Sequence, residues 1–341
     1  MKLSDYYYNL PDNLIANQPT EIRGTSRLLV LGRQSGNIKD RKYSDIVDFL
    51  GNGDVLVLND TRVIKARLKT TKENGAPREL VILEKHSFDN DWHRHRVLYR
   101  RKLAVGDKLF VSDATLVVEE IQEGGLAIVR SSHDLLDLAE KCGDVPLPPY
   151  MHRDATAMDI ERYQTVFADE KGSVAAPTAS LNMTDEILEM LHKKGVKIVY
   201  LTLHVGLGTF LPIRTDNVED HHMHQEYFQI PLETIMAIQS AKNAGCRVVA
   251  LGTTVARTLE YAGKKLFDMP QTISGEADIF IYPGYEFKVI DGLMTNYHAP
   301  KSTVLMLTAA FAGWDNLLRA YEHAISEEYH FLSYGDSMLI L

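Results

Sequence analysis

The sequence predicts an α/β fold: a mixed, partly parallel sheet domain with a small antiparallel β module inserted into it. From Arg153 to Leu341, runs typical of strands alternate with helical patterns, which indicates an open sheet covered by helices. Between about Arg67 and Asp144, short alternating runs are separated by Gly, Asn and Asp: ELVILE, HRVLYR, DKLFV, ATLVVEEI and LAIVR. Short strands at regular spacing predict a small barrel or sandwich. The expected domains are residues 1–66 and 145–341 together, with residues 67–144 inserted.

The elements before the insertion are short. Ser26–Leu31 and Asp54–Leu58 have the composition of buried strands, and Ser44–Leu50 is a short amphipathic helix that stops at Gly51. The proline cluster at Pro146–Tyr150 marks the exit from the inserted module.

The second part alternates regularly. Thr184 is a predicted N-cap for a helix that stops at Gly195, and Pro231 begins another helix that ends near Gly245. The run STVLMLTAAFAG is apolar on nearly all sides, which predicts a buried helix. The predicted strands of this part are VKIVYLTLHV, CRVVAL, IFIY and the terminal MLIL.

Composition limits the class of protein. The 341 residues include 45% hydrophobic and 24% charged residues, as in an ordinary globular protein. Cys142 and Cys246 lie far apart and make neither a disulfide framework nor a four-cysteine zinc site, so a reducing cytoplasm is the simplest setting. No apolar run is long enough for a membrane span, and the first residues lack the pattern of a signal peptide.

The net charge of −9 argues against nucleic-acid binding, since affinity for phosphate depends on Lys and Arg. The stretch from His93 to Lys102, HRHRVLYRRK, is nevertheless strongly basic and contains Tyr99. It predicts either a phosphate-facing patch or an ordinary solvated strand.

The run IVYLTLHVGLGTFLP, residues 198–212, reads as a strand that breaks into glycines. His204 precedes the break, Gly206 and Gly208 make it, and Thr209 follows. Open α/β sheets bind ligands at the carboxyl ends of their strands, so this cluster is a candidate site. A tight turn that needs glycine is the alternative.

A second strand ends at Gly252-Thr253-Thr254 and opens a helix, whose first amides favour an anion such as a carboxylate. Arg257 and Glu260 follow at a spacing that places them on one helix face. A capped helix with an ion pair explains the same residues equally well.

Two further clusters are less specific. His222, His224 and Glu226 alternate, which on a strand would put them on one face, but no second ligand group is evident and we expect no metal. His298 and Lys301 precede the apolar helix as a candidate base and cation, whereas Ser302 is suited to be its N-cap.

Together these segments resemble the S-adenosylmethionine:tRNA ribosyltransferase-isomerase family of queuosine biosynthesis. The matching stretches span the chain in family order: LPDNLIANQP, SRLLVL, GDVLVLNDTRVIKARL, PLPPY, ERYQTVFA, GSVAAPTA, TLHVGLGTFLP, HHMHQEYF, ALGTTVARTLE, FIYPGYEFKVIDGLMTNYHAPKSTVLMLTAAFAG and YGDSMLIL. The family is an α/β domain with an inserted β-barrel, which matches the change of pattern near Arg67 and Asp144.

The resemblance implies a transferase. It would transfer and isomerise the ribosyl moiety of S-adenosylmethionine onto the aminomethyl-deazaguanine base at the tRNA wobble position, giving epoxyqueuosine and releasing adenine and methionine. S-adenosylmethionine would be consumed as a co-substrate, with no further cofactor. The expected partners are tRNA and S-adenosylmethionine, and the expected state is a cytoplasmic monomer.

The resemblance also implies site residues. We expect His204, His298 and Asp60 to be catalytic, with one histidine as the base and the other orienting a ribose hydroxyl, and with Asp60 as a carboxylate alternative for the base. The expected substrate-binding residues are Asn59, Arg62, Arg162, Tyr163, Gln164, Thr178, Asn182, Gly206, Gly208, Thr209, Phe210, Gly252, Thr253, Thr254, Arg257, Glu260, Tyr285, Lys301 and Ser302. The expected tRNA-binding residues are Arg94, Arg96, Arg100, Arg101 and Lys102.

One position departs from the family pattern. The usual Gly-Leu-His-Phe-Thr is Ser180-Leu181-Asn182-Met183-Thr184 here, and Asn cannot carry a proton near neutral pH. If the usual histidine is the essential base, the chain would be a tRNA-binding protein without catalysis. Another alternative is a nucleotide or sugar-phosphate enzyme that uses GLGTF as a phosphate loop. Neither alternative accounts for the full series of matches.

Overall fold

The structure, a computed structural model, describes residues 1–87, 89, 91–206, 208, 213–268 and 270–341. The strands are β1 (Arg27–Leu31), β2 (Ile38–Lys42), β3 (Val55–Asn59), β4 (Thr61–Val63), β5 (Arg67–Lys72), β6 (Pro77–Ile82), β7 (Arg94–Arg100), β8 (Lys108–Val111), β9 (Ala114–Gln122), β10 (Leu126–Ser131), β11 (Glu170–Ser173), β12 (Lys197–Leu203), β13 (Glu226–Ile230), β14 (Val248–Leu251), β15 (Ile273–Ala277), β16 (Gly292–Asn296) and β17 (Ser337–Ile340). The helices are α1 (Ile46–Phe49), α2 (Leu135–Cys142), α3 (Ala157–Arg162), α4 (Asp185–Lys193), α5 (Leu232–Asn243), α6 (Thr253–Ala262), α7 (Lys265–Asp268), α8 (Thr303–Ala312) and α9 (Trp314–Ser326).

A large mixed sheet organises the main part of the chain. Within the described ranges its strand order is β15-β13-β12-β3-β14-β16-β17-β1-β2. The four central strands β12, β3, β14 and β16 run parallel to their neighbours in this set. Their carboxyl ends therefore meet at one edge of the sheet, and the residues that follow these strands lie close together.

Two apolar layers cover the sheet. On one face, Leu201 and Leu203 of β12 join a core with residues of α5, α6, α8 and α9. On the other face, Ile198 and Tyr200 pack with residues of α1 and α4. The alternation along β12 thus buries both of its faces, as expected for a central parallel strand.

The insertion folds as a closed antiparallel barrel in the order β10-β7-β6-β5-β8-β9. Its core contains inward-facing residues of its strands, such as Leu80, Val97 and Leu116, and helix α2 packs against it. This confirms the predicted fold class, including the barrel that the family resemblance implies. Arg67 and Asp144 form a bridge in which each backbone N–H donates to the other's carbonyl, where the chain enters and leaves the barrel. The domain limits themselves stay a prediction.

Local signals predicted several element boundaries. The Thr184 hydroxyl accepts a hydrogen bond from the Ile187 amide at the start of α4, and Ser302 does the same for Leu305 at the start of α8. The predicted helix at 44–50 is shorter: a 3₁₀ turn at Tyr43–Asp45 precedes α1.

One predicted strand is wrong. The run IFIY, residues 279–282, is irregular, and the strand that pairs with β13 is Ile273–Ala277. Ile281 is buried in the core, and Ile279, Phe280 and Tyr282 pack against it. The apolar residues of this run therefore serve packing, which a strand and an irregular buried segment satisfy equally.

Candidate active site

A cavity of about 200 Å³ opens at the edge where the parallel strands end. The segment after β11, the turn between β14 and α6, and the residues from the end of β16 to the start of α8 form most of its wall. The lining residues are Tyr150, Ala176, Pro177, Thr178, Ala179, Val205, Gly252, Thr253, Thr254, Thr295, Asn296, Tyr297, His298, Ala299, Pro300, Lys301, Ser302, Val304, Leu332 and Ser333.

The amino terminus of α6 faces this cavity. Gly252 precedes the helix with φ +101°, a conformation that favours glycine, and no side chain caps the helix. The first turn of α6 also carries no acidic residue. The amides and the partial positive charge of this helix end are therefore available to an anion, whereas Ser302 already caps α8.

His298 borders the cavity and is held from several directions. Its Nε2 lies 2.8 Å from Oγ1 of Thr295. Its backbone amide donates to the Tyr321 hydroxyl at 3.0 Å, and the Tyr8 hydroxyl donates to its carbonyl. Burial lowers the pKa of His298 to about 3, and the residue as a whole is half-buried. The imidazole is therefore neutral near pH 7.

His204 lies behind the same edge and does not line the cavity, whose wall contains the next residue, Val205. Its Nδ1 is 2.9 Å from Oγ1 of Thr61, and its ring stacks on Tyr227. A Cβ on Gly172 would come within 2.8 Å of its Nε2, so glycine makes room for the ring. Only 2% of His204 is exposed, and burial, with Lys85 and His86 nearby, lowers its pKa to about 3.

Asn59 ends β3 and Asp60 follows it, and both residues also lie outside the cavity wall. Burial raises the pKa of Asp60 to about 6, with Glu170 and Asp169 adding to the rise and a hydrogen bond from Thr202 opposing it. The Asn59 amide joins β3 to β12 by donating to the carbonyl of Leu203 and accepting from its N–H, both at 3.0 Å. Asn59 therefore fixes the relative position of two strand ends.

Arg257 lines a second, smaller cavity of about 20 Å³, which shares Thr253, Thr254 and Val304 with the first. Its guanidinium forms an ion pair with Glu226, which also accepts a hydrogen bond from the Gly206 amide at 2.8 Å. Burial lowers the pKa of Arg257 to about 10, so the group remains charged at neutral pH.

Glu260 lies one turn beyond Arg257 but has different partners. Its carboxylate accepts hydrogen bonds from the amides of Lys288, Val289 and Ile290 at 2.9 to 3.0 Å. The Tyr285 hydroxyl donates to the same carboxylate at 3.2 Å. Glu260 and Tyr285 thus anchor the segment before β16, and neither lines the cavity.

The predicted residues at the end of α3 and just after it make structural contacts with other parts of the chain. Gln164 accepts from the Val63 amide and donates to the Val63 carbonyl, and Arg162 donates to the carbonyl of Thr20. Tyr163 is buried beside Tyr334.

Arg62, by contrast, is exposed on β4. Asn182 is buried and donates to the carbonyl of Gly335 at 3.3 Å. Since it does not line the cavity, its replacement of the usual histidine leaves the cavity wall intact.

Of the remaining predicted residues, Thr178, Lys301 and Ser302 line the first cavity. Gly206 lies against the carboxylate of Glu84, and a Cβ on Gly208 would collide with His224. Thr209 and Phe210 lie outside the described residues. His222 and His224 are exposed in an irregular segment and β13 begins only at Glu226, so these residues do not share a strand face. Over the described ranges, no group of three or more His, Cys, Asp or Glu side chains could hold a metal ion.

The predicted basic residues lie on and after β7 of the barrel. Arg94 pairs with Glu119, which also binds Arg130, and is thereby partly neutralised. Arg96 lies near Glu84; burial opposes ionisation of Glu84, but His86 and Arg96 hold its pKa below the usual value. Arg100, Arg101 and Lys102 are exposed at the far end of the strand.

Sequence reasoning missed several residues of the two cavities. Tyr150 and Ser333 come from distant parts of the chain, and the Tyr150 hydroxyl donates to Ser333. Thr295 and Asn296 end β16, which the sequence pattern did not identify. The alternation with His222 and His224 indicates only a metal ligand at Glu226, whereas the alternating apolar run that begins at this residue is a signal for the start of a strand.

The chain is similar to known proteins over its whole length. A family model described as "Queuosine biosynthesis protein" matches residues 3–340. The chain is 54% identical to an S-adenosylmethionine:tRNA ribosyltransferase-isomerase of Pelodictyon phaeoclathratiforme and 45% identical to one of Francisella tularensis subsp. novicida, over the full length of each protein. It is also similar to the crystal structure of an S-adenosylmethionine tRNA ribosyltransferase from Thermotoga maritima, with 33% identity and a TM-score of 0.56, over 99% of this chain and 100% of that one.

Proposed function

This chain belongs to the queuosine biosynthesis protein family, and we propose that its reaction takes place in the cavity at the carboxyl edge of the sheet. It is a transferase that transfers and isomerises the ribosyl moiety of S-adenosylmethionine onto the aminomethyl-deazaguanine base at the tRNA wobble position. The products are epoxyqueuosine-tRNA, adenine and methionine. The substrates are therefore tRNA and S-adenosylmethionine.

The observation that carries the proposed location is an uncapped helix end and a neutral imidazole in one cavity. The first turn of α6 offers amides to the methionine carboxylate, with Thr253 and Thr254 at the wall. The hydroxyl of Thr178 and the cation of Lys301 line the same space and are available to the nucleoside, whereas the Ser302 hydroxyl is used by its own helix cap. A concave site with few convergent polar groups is typical of small-molecule binding.

We assign the role of general base to His298. The sulfonium acidifies the adjacent ribose carbon, and a base must reach the proton there in its unprotonated form. His298 satisfies both conditions, because it borders the cavity and burial keeps it neutral. If Nε2–H donates to Thr295, the lone pair of Nδ1 is free to accept the proton.

The remaining steps follow from that proton transfer. The electron pair left on C5′ forms a C4′=C5′ double bond as the C4′–O4′ bond breaks, and O4′ forms a carbonyl at C1′ as the bond to adenine breaks. The aminomethyl nitrogen then adds to C4′ and loses a proton, and C5′ bonds to the carbonyl carbon C1′. The oxygen on C1′ finally displaces methionine from C5′ and closes the epoxide. His204 and Asp60 lie outside the cavity wall and act here as positioning residues for the ends of β12 and β3.

The exposed end of the basic strand is proposed to bind tRNA phosphates. Changing Arg100 and Arg101 to Glu should weaken tRNA binding and lower the slope of log K against log salt by about 1 per lost contact. Lys108→Glu is the matched control, because Lys108 is exposed on β8, on the opposite side of the barrel. Equal salt slopes for the two variants, measured by filter binding, would contradict this role.

The setting of the reaction completes the proposal. In the described part of the chain, no helix is long and apolar enough to cross a membrane. We propose that the enzyme works as a cytoplasmic monomer that uses no cofactor besides the consumed S-adenosylmethionine. Light scattering at the concentration of the assay would show a dimer if the monomer assignment is wrong.

Adenine release tests the proposed function. Purified protein is incubated with S-adenosylmethionine, with and without tRNA that carries the aminomethyl-deazaguanine base, and adenine is measured by chromatography. Release that depends on the modified tRNA supports the assignment and shows that Asn182 is compatible with turnover. Binding of tRNA without adenine release would contradict it.

A further inference from the structure

The ion pair between Arg257 and Glu226 is buried at the border of the smaller cavity. Arg257 is 8% exposed and Glu226 is 3% exposed. The Nε atom of Arg257 has no hydrogen-bond partner among the described residues, although a buried donor without a partner is costly. Such a guanidinium is suited to receive an anion that can use its free donor.

The walls of this cavity are mostly apolar. Met223, Ile279, Phe280 and Leu307 line it, and Thr253, Thr254 and Val304 connect it to the larger cavity. Apolar walls that end in one positive and one negative group match an amino acid with an apolar side chain.

We propose that the Arg257–Glu226 pair is the receptor for the amino-acid group of S-adenosylmethionine. This inference rests on the proposed function and specifies its methionine subsite. Arg257 binds the α-carboxylate together with the first amides of α6, and Glu226 binds the α-ammonium. The thioether chain passes between the apolar walls, and the sulfonium lies where the two cavities meet.

Charge balance allows the zwitterionic end of the substrate to replace the contacts within the Arg257–Glu226 ion pair. The ion pair is neutral as a whole, and so is the zwitterionic end of the substrate. When the two side chains separate and each binds the opposite charge of the ligand, no net charge is added to the buried site. The volume of about 20 Å³ is roughly that of one water, so binding requires this separation.

The test compares S-adenosylmethionine with one ligand that lacks only the α-carboxylate and with one that lacks both the amino-acid group and the sulfonium charge. The probes are S-adenosylmethionine, decarboxylated S-adenosylmethionine and 5′-methylthioadenosine, titrated by calorimetry without tRNA so that no turnover occurs. We expect the wild-type protein to prefer S-adenosylmethionine over its decarboxylated form by about 10- to 100-fold, the range for a hydrogen bond to a charged group.

The decisive variant is Arg257→Met with Glu226→Gln. Removing both charges avoids a lone buried charge, and the Gln oxygen still accepts from the Gly206 amide. The ratio of the two affinities should fall below about 3-fold, while the affinity for 5′-methylthioadenosine stays unchanged. Lys242→Met with Asp291→Asn is the matched control. Lys242 of α5 and Asp291, just before β16, also form an ion pair, with 2.8 Å between Nζ and the carboxylate oxygen, but neither residue lines either cavity.

The outcomes separate this inference from the proposed function. A double variant that retains the full ratio, or a wild-type protein that binds both sulfonium ligands equally, overturns the inference. If the double variant does not fold, the wild-type ratio alone decides. Adenine release by the wild-type protein with modified tRNA, combined with an unchanged ratio in the variant, refutes only the subsite. Discrimination without adenine release refutes only the proposed function.

Discussion

His204 and His298 follow two strands, β12 and β16, that end at the same edge of the sheet, yet their surroundings differ. Each ring has one nitrogen beside a buried threonine hydroxyl, at 2.8 Å from Thr295 and 2.9 Å from Thr61. Burial lowers the pKa of each to about 3. Only His298 borders the cavity, whereas His204 is enclosed by Thr61, Gly172 and Tyr227. A depressed pKa therefore does not distinguish the two residues, and access to the substrate does.

The difference arises from where each residue lies relative to its strand. His204 comes directly after β12, and its side chain points away from the face that contains Leu203 and Val205. His298 comes two residues after β16, where the chain has left the sheet, and two tyrosines hold its backbone at the cavity. A residue in the loop after a strand can turn toward a ligand more freely than His204, whose backbone amide still donates to the carbonyl of Tyr227 on the neighbouring strand.

The largest expected effect is on catalysis. His298→Gln should lower kcat for adenine release by about 10²- to 10⁴-fold, because a general base is lost while the side chain remains polar. His204→Gln is the matched control and should lower kcat by less than about 10-fold, since that ring does not reach the cavity. Single-turnover adenine release measures both. A loss of similar size in the two variants would show that the cavity wall does not identify the base.

A second effect concerns stability at low pH. A buried neutral histidine with a folded-state pKa near 3 takes up a proton on unfolding between about pH 6.5 and pH 3. Its contribution to stability is therefore present above the unfolded pKa and is lost as the pH falls through this window. His204→Gln should reduce the pH slope of the unfolding free energy by about 1.4 kcal/mol per pH unit near pH 5.

His298→Gln provides the comparison for this measurement. It should reduce the slope by a similar amount, because burial also lowers the pKa of His298 to about 3. Urea unfolding at pH 4.5, 5.5 and 6.5 gives both slopes. An unchanged slope in His204→Gln would mean that this histidine is already charged in the folded protein.

The sequence predicts local features of the site better than it predicts which histidine borders the cavity. Caps at Thr184 and Ser302 were predictable because cap chemistry depends on neighbouring residues. The pattern likewise predicted that His204 and Gly252 lie at one sheet edge. It did not predict which histidine borders the cavity, since the walls come from Tyr150, residues 176–179 and Ser333, far apart in the chain.

The residues of α6 show the same limit. Spacing placed Arg257 and Glu260 on neighbouring turns, but their partners are Glu226 and the amides of residues 288–290. The run IFIY has the pattern of a strand but is irregular, because an apolar run indicates burial and not backbone pairing. Partners that are distant in sequence leave no local pattern, so tertiary structure is needed to find them.

The smallest expected effect compares the two threonines. Thr295→Val and Thr61→Val each remove a hydroxyl next to a histidine nitrogen and keep the side-chain volume. Loss of one hydrogen bond should cost about 1 kcal/mol of stability in each. Thr295→Val should also lower kcat about 10-fold with little change in KM, because His298 is no longer held in the orientation and tautomer that leave Nδ1 free.

Thr61→Val should leave kcat close to that of the wild-type protein, since His204 is enclosed whether or not its hydroxyl partner is present. Steady-state adenine release and urea unfolding of the two variants separate catalysis from stability. If both variants lose stability and only Thr295→Val loses kcat, the hydroxyl of Thr295 acts on the base. If kcat falls equally in both, the threonines act through the fold of the sheet edge, and the distinction between the two histidines fails.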